Sequence, residues 1–269
     1  MKTLATDLDG TLYLDNILIP GVKESYQLLL ANNYYIYHAT NNSSQSRQII
    51  ASKLERLLQV DIDLSSVITP LVVLEDYLKG KNYSVYVFGS DEIKQYISNI
   101  SNLVTNLETA DLVILGRVDF PNEDELDEIA KGINSGIAAA TLNKDLTYPV
   151  SPTEFKPGNG QIARYIESAT RKTLDSFGKD GMLFSDYFIN KGIQIDYMIG
   201  DRVDTDIVFA KNINTTSILV NSSIENHMPV SLADEVFDTF NEFVSSIEIC
   251  KISFLIGLQC HKNCNRYAQ

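Results

Sequence analysis

Two apolar runs near opposite ends of the chain each stop at an aspartate, and this pair of junctions limits the possible folds more than any other feature. The first run, Thr3 to Leu8, passes into Asp7-Leu8-Asp9-Gly10-Thr11; the second, Ile195 to Ile199, stops at Gly200-Asp201. A short apolar run closed by a turn signal such as Asp-Gly reads as a buried strand. Strands separated by helices form a parallel sheet with covering helices. Ligands bind beyond the carboxyl ends of such strands. Asp201 and Asp206 are therefore expected at the same end of the sheet as Asp7 and Asp9.

The intervening chain supports this α/β reading. Val22, Tyr26, Leu29 and Leu30 mark one face of a helix, and Tyr34 to Ala39 is a strand rich in aromatic and β-branched residues. Thr40-Asn41-Asn42-Ser43 offers capping residues for a helix carrying Ile50, Leu54, Leu57 and Leu58. Ser84 to Phe88, Asp111 to Leu115 and Ile137 to Thr141 read as further strands. Glu125 to Ile133, Ile162 to Thr170 and Met182 to Asn190 read as helices. Tyr148 to Gly160 holds three prolines and two glycines and reads as a connector or a ligand-facing loop. A helix from about Thr205 and a strand Ser217 to Val220 complete the pattern.

A chain of 269 residues is long for one domain, so two are expected. A formal net charge of -13 argues against wrapping nucleic acid, which needs a basic surface. It does not exclude an anionic substrate, because a bound cation reverses the local field. The N-terminus reaches Asp7 too soon for a signal peptide, and no apolar stretch is long enough to span a membrane. The three cysteines, Cys250, Cys260 and Cys264, are too few for a disulfide framework. A cytoplasmic protein is the expectation.

A carboxylate nucleophile beside a second carboxyl that moves protons is the equipment of a two-step phosphoryl transfer. Asp7 and Asp9 fit those roles, and converging carboxylate oxygens suit a hard cation such as magnesium. Each motif also has a plainer reading. Asp-Gly turns are common, and Asp204, Thr205 and Asp206 are ordinary first-turn helix residues.

Taken together, the motifs resemble the haloacid dehalogenase (HAD) superfamily. Asp7-Leu8-Asp9-Gly10-Thr11-Leu12, Thr40-Asn41-Asn42, and Gly200-Asp201 with Thr205-Asp206-Ile207 match its first, second and fourth motifs. Val85 to Ser90, Gly116 to Asp119 and Pro157 to Gly160 fall where the branch of p-nitrophenyl, sugar-phosphate and nucleotide phosphatases has landmarks of a large α/β cap. The likeness runs to about Phe243. It implies a Rossmann-like, doubly wound parallel-sheet core (1–79 and 177–249), an inserted cap (80–176) and a peripheral tail (250–269).

The resemblance also implies the site. Asp7 would be the nucleophile and Asp9 the acid-base. Lys179 in Phe177-Gly178-Lys179-Asp180 is preferred to Lys156 as the third-motif lysine, with Asp180 standing where proline is usual and able to cap the following helix. Thr40 and Asn41 would bind phosphate. Magnesium would be held by Asp7, the Asp9 backbone carbonyl and Asp201, with Asp206 behind them. Asn143 and Asp145 in the cap would meet a polar leaving group, or would merely form a turn. The implied partner is a small phosphorylated metabolite, with neither nucleic acid nor membrane, and a homodimer through the cap fits the branch. The competing reading is a silent protein that binds a phosphorylated ligand. Carbon–halogen cleavage has no need of Asp9 or a metal cluster. His38 reads as a packed core residue and His227 as part of a surface loop, and Cys260 to Cys264 lacks a fourth ligand for zinc.

Overall fold

The computed structural model describes residues 2–151, 154–222 and 228–255. Lys2–Thr6 lies inside a six-stranded parallel sheet. Across this sheet the order is Glu235–Phe237, Thr216–Val220, Tyr197–Gly200, Lys2–Thr6, Tyr34–Ala39 and Val67–Ile68. The chain moves outward from Lys2–Thr6 in one direction, then returns to its other side and moves outward again. The strand order therefore reverses between Lys2–Thr6 and Tyr197–Gly200, which opens a crevice beyond their carboxyl ends. Thr6 stands opposite Ile199 in the register. The Asp7 amide still donates to the Ile199 carbonyl at 2.8 Å. Asp7 and Gly200-Asp201 thus leave the sheet side by side, although almost two hundred residues separate them in sequence.

Between these two halves the chain builds a second parallel sheet of five strands. Its order is Asp175–Ser176, Ala138–Thr141, Leu112–Leu115, Ser84–Phe88 and Asn102–Val104. Leu112–Leu115 is buried at every position, as a central parallel strand with both faces covered should be. On one face, Phe88, Val113 and Leu115 pack against Leu126, Ile129, Ile162 and Ile166 of the helices Glu123–Asn134 and Asn159–Thr170. On the other, Val85, Val87 and Ile114 join a buried cluster that also holds Ala5, Ile68, Leu74, Phe184 and Met198. One apolar cluster therefore contains residues of both sheets, which restrains how they move against each other.

Several local readings need correction. The capping residues at 40–43 do not start a helix. The Asn42 side-chain oxygen instead accepts from the backbone amides of Ser44 and Gln45 at 3.0 and 3.2 Å, which holds the segment as a loop. The helix begins later, at Arg47–Leu58, where the Ser46 hydroxyl caps the Ile49 amide. The connector at Tyr148 to Gly160 contains an antiparallel ribbon of Thr147–Ser151 and Glu154–Pro157. A two-stranded ribbon consists only of edges, so its prolines cost no interior ladder bond. The helix expected near Thr205 starts as a π turn, Val203–Ile207. The last helix of the described residues is Phe240–Leu255.

Candidate active site

The site grows from the two strand ends. Gly10 has φ +94°, a left-handed conformation, and a Cβ there would run into the Asp201 carboxylate. Glycine thus serves both the turn and the close approach. Gly200 serves the close approach alone on the other strand, because a Cβ on it would collide with Asp206. The π turn carries Asp206 back over its own strand end, and its Oδ2 accepts from the Arg202 amide at 3.0 Å.

Lys179 follows Asp175–Ser176, the edge strand of the second sheet, and its side chain is 2% exposed. Its Nζ is hydrogen-bonded to Asp7 Oδ1 and lies 2.5 Å from Asp206 Oδ1. Carboxylate oxygens of Asp7, Asp201 and Asp206 all lie within 4.8 Å of one another. Burial pushes all three acids upward, Asp206 to about 6. Asp201 rises well above the ordinary range, since the charges of Asp7 and Asp206 add to the effect of burial. Burial alone would lower Lys179, but Asp206 and Asp7 outweigh it and hold the ammonium above its ordinary value.

Asp9 stands apart from that cluster. Its Oδ2 accepts from the Tyr13 hydroxyl at 3.4 Å, and burial raises its pKa. Lys53, 3.8 Å from the centre of the Tyr13 ring, is the main positive influence on Asp9. The Asp9 side chain thus leaves the three-acid group to Asp7, Asp201 and Asp206. Any share Asp9 takes in holding a metal falls to its backbone.

The loop 40–45 and the loop 143–145 meet over this cluster. Thr40 is buried, and its hydroxyl accepts from the Asn42 amide at 3.1 Å. Asn41 reaches both sheets: its Nδ2 donates to Asp145 at 3.0 Å, and its Oδ1 accepts from the Lys179 amide at 2.8 Å. Asn143 donates to the Asn41 carbonyl at 2.9 Å and to Ser43 at 3.3 Å, while its oxygen accepts from the Asp145 amide. Its amide is thus spent inside the protein, although the residue lines the cavity. Gly158 and Gly160 permit this arrangement, because a Cβ on either would strike the backbone of Lys144 or Asp145.

A cavity of about 230 Å³ lies between the two sheets. Asp7, Asp9, Thr40, Asn41, Lys179 and Asp145 are among its walls. Lys156 is exposed on the ribbon and does not line it. Asp180 does not cap the helix Met182–Asn190, whose N-cap is Gly181 without a side-chain bond. It turns back and accepts from the Ser176 hydroxyl at 3.0 Å. Burial, reinforced by Asp145, raises it to about 6. His38 is buried and bonded to Tyr26 and Ser66, away from the cavity. His227 and Cys260 to Cys264 lie outside the described residues.

Sequence reasoning assigned no role to Arg202 or Tyr148 and took Arg117 only as a landmark. All three line the cavity. Arg202 is held by both oxygens of Asp204, at 3.1 and 2.9 Å. Its position directly after Asp201 was the available signal. Arg117 and Tyr148 are 31 residues apart and meet only through the fold.

Residues 4–101, which carry Asp7 and the loop 40–45, match the family of haloacid dehalogenase-like hydrolases, and residues 191–243, which carry Asp201 and Asp206, match a HAD-hydrolase-like family. The chain belongs to the haloacid dehalogenase-like hydrolases. Within that family it is 25% identical over 232 residues to an acid sugar phosphatase of Staphylococcus aureus, covering 83% of this chain and 87% of the relative. Its fold is shared with the 4-nitrophenylphosphatase of Thermotoga maritima, at TM-score 0.77 and 27% identity over 91% of this chain and 97% of the other. A glycerol phosphate phosphatase of Mycobacterium tuberculosis, solved with magnesium, has the same fold at TM-score 0.73 and 24% identity, covering 88% of this chain and 74% of its own.

Proposed function

We propose that this HAD-like hydrolase is a phosphatase that removes the phosphoryl group from a small phosphorylated metabolite by way of an aspartyl-phosphate on Asp7. The observation that carries the reading is Lys179, a buried ammonium joined to both Asp7 and Asp206 in the wall of the cavity. Such an ammonium opposes the upward effect of burial on Asp7 and offers fixed positive charge to an incoming phosphate. The names of the related proteins, acid sugar phosphatase and 4-nitrophenylphosphatase, agree with this chemistry.

In the first step an Asp7 oxygen attacks phosphorus and the ester oxygen leaves, taking a proton from Asp9. In the second, Asp9 takes a proton from water as that water attacks the phosphorus of the aspartyl-phosphate, freeing Asp7 and phosphate. Burial raises Asp9, which favours the protonated form needed first. Thr40 and the backbone of the 40–43 loop would position the phosphate oxygens, and the second sheet, within residues 80–176, would act as the cap that excludes water.

The donor set of Asp7, Asp201 and Asp206 fits a hard divalent cation such as magnesium, because three carboxylates share their space with a single ammonium. Asp7, Asp201 and the Asp9 carbonyl would hold it, with Asp206 behind. A bound cation would supply charge neutralisation for the phosphate.

The test is hydrolysis of p-nitrophenyl phosphate by wild type and Asp7→Asn, with magnesium and with a chelator. Wild type should turn over only with the cation, and the variant should lose activity on the order of 10⁴-fold or more. Equal turnover by the two proteins would remove Asp7 as nucleophile. Tight binding of phosphorylated ligands by a wild type that never turns over would favour the silent binding protein.

A further inference from the structure

We infer that Arg117 forms a second anion subsite, so that the preferred substrates carry a carboxylate or a second phosphate on the part that leaves. This rests on the phosphatase reading above and names the substrate class of the same site. Arg117 follows the central strand Leu112–Leu115 of the second sheet and lines the same cavity as Asp7 and Lys179. Gly116 brings it there: a Cβ at 116 would press on Ile93 and Leu142.

The side chain is built into the wall. Its guanidinium carbon lies 4.6 Å from the centre of the Tyr148 ring, and its Nη1 donates to the Tyr148 hydroxyl at 2.6 Å and to Asp119 at 2.8 Å. Both bonds use Nη1. A guanidinium carries five N–H donors, so those on Nε and Nη2 are not used by these bonds. A planar pair of donors held by stacking is matched to the two oxygens of a carboxylate or phosphate.

The other two cations of the cavity wall are engaged differently. Lys179 is held by Asp7 and Asp206, and Arg202 grips Asp204 with both Nε and Nη2. Asp119, the acid that pairs with Arg117, is 70% exposed, so water screens it and it neutralises the guanidinium weakly. Arg117 is therefore the cavity cation best placed to offer paired donors to a second charge on the substrate. A neutral polyol could take single hydrogen bonds from it but would not use the paired geometry.

Matched substrates separate the possibilities. Glycerol 1-phosphate has a neutral tail, 2-phosphoglycolate a carboxylate, and fructose 1,6-bisphosphate a second phosphate, with fructose 1-phosphate as its neutral-tailed control. The wild type should favour each charged-tail substrate over its partner in kcat/KM. Arg117→Gln should erase that preference, lowering kcat/KM for the charged-tail substrates about 10- to 100-fold more than for the neutral ones. Arg117→Lys should keep part of it, because the charge remains and the fork is lost. The loss should appear mainly in KM. A preference for one charged pair alone would tell carboxylate from phosphate as the natural tail. Equal rates for charged and neutral tails in the wild type, or a uniform loss across all substrates in Arg117→Gln, would overturn the subsite. Failure of the wild type to hydrolyse p-nitrophenyl phosphate would instead overturn the phosphatase reading.

Discussion

Two buried polar clusters lie on neighbouring strands, and they handle charge in opposite ways. Thr6 pairs across the sheet with His38, and one residue further along Asp7 enters the Lys179 cluster. In the first cluster Ser66 donates its hydroxyl proton to the Asp63 carbonyl at 2.7 Å, so it accepts from His38 Nδ1. His38 Nε2 is then left to accept from the Tyr26 hydroxyl at 2.9 Å. The ring is neutral, both nitrogens are bonded, and burial lowers its pKa to about 4. In the second cluster three carboxylates surround one ammonium, a net of minus two if all are ionised. A buried polar group that only supports a fold is neutral and fully bonded. A cluster with surplus like charge is strained until a ligand balances it, and such places mark functional sites. The contrast separates structural burial from functional burial within one sheet.

The largest effect should come from removing the single cation of the charged cluster. Lys179→Met leaves Asp7, Asp201 and Asp206 without it and should destabilise the metal-free protein by about 3–5 kcal/mol in urea denaturation. Turnover of p-nitrophenyl phosphate should fall by about 10²–10³-fold or more. A variant as stable as wild type would show that the carboxylates are not held apart by that ammonium.

The neutral cluster should reveal itself through pH. The His38 pKa is about 4 when folded and 6.5 in the unfolded chain, so the unfolded state takes up the proton first as pH falls. The stability this site contributes is complete above pH 6.5 and declines as pH drops towards 4. Between pH 7 and 4 the wild type should lose about 3 kcal/mol more than His38→Gln. Parallel curves for the two proteins would mean that His38 is already charged in the fold.

The strand ends and the alternation of helices and strands were legible because each is written in a few consecutive residues, whereas Lys179 had to be chosen over Lys156 and meets Asp7 only through the fold. Asp7-Leu8-Asp9-Gly10 and Gly200-Asp201 both carry the glycine that their close approach requires. What was not legible depends on partners distant in sequence. The 40–43 segment has the residues of a helix cap, yet Asn42 spends its side chain on a loop and Asn41 on Asp145, 104 residues away. Asp180 looks like a helix cap until Ser176 is seen to hold it. Arg117 finds Tyr148 only when the ribbon folds back over the second sheet.

Adding a cation should relieve one cluster and leave the other untouched. At a hundredfold excess over Kd, magnesium should stabilise the wild type by about 2.7 kcal/mol. Asp201→Asn should abolish that gain, whereas His38→Gln should keep it. Thermal melts with and without the ion read both results. The smallest effect belongs to the bridge between the sheets. Asn143→Ala removes donors to the Asn41 carbonyl and Ser43 and should cost about 1 kcal/mol. It should also loosen the loop that positions the Lys179 amide, seen as faster hydrogen exchange at residues 40–45.

The most direct test is to stop the reaction in acid during turnover of a phosphorylated substrate and map the protein by mass spectrometry. The N-terminal peptide should carry the mass of one phosphoryl group, assigned to Asp7, and Asp7→Asn should carry none. A phosphoryl group found on another residue, or an unmodified protein under conditions of rapid turnover, would contradict the assignment of Asp7 as the group that attacks phosphorus.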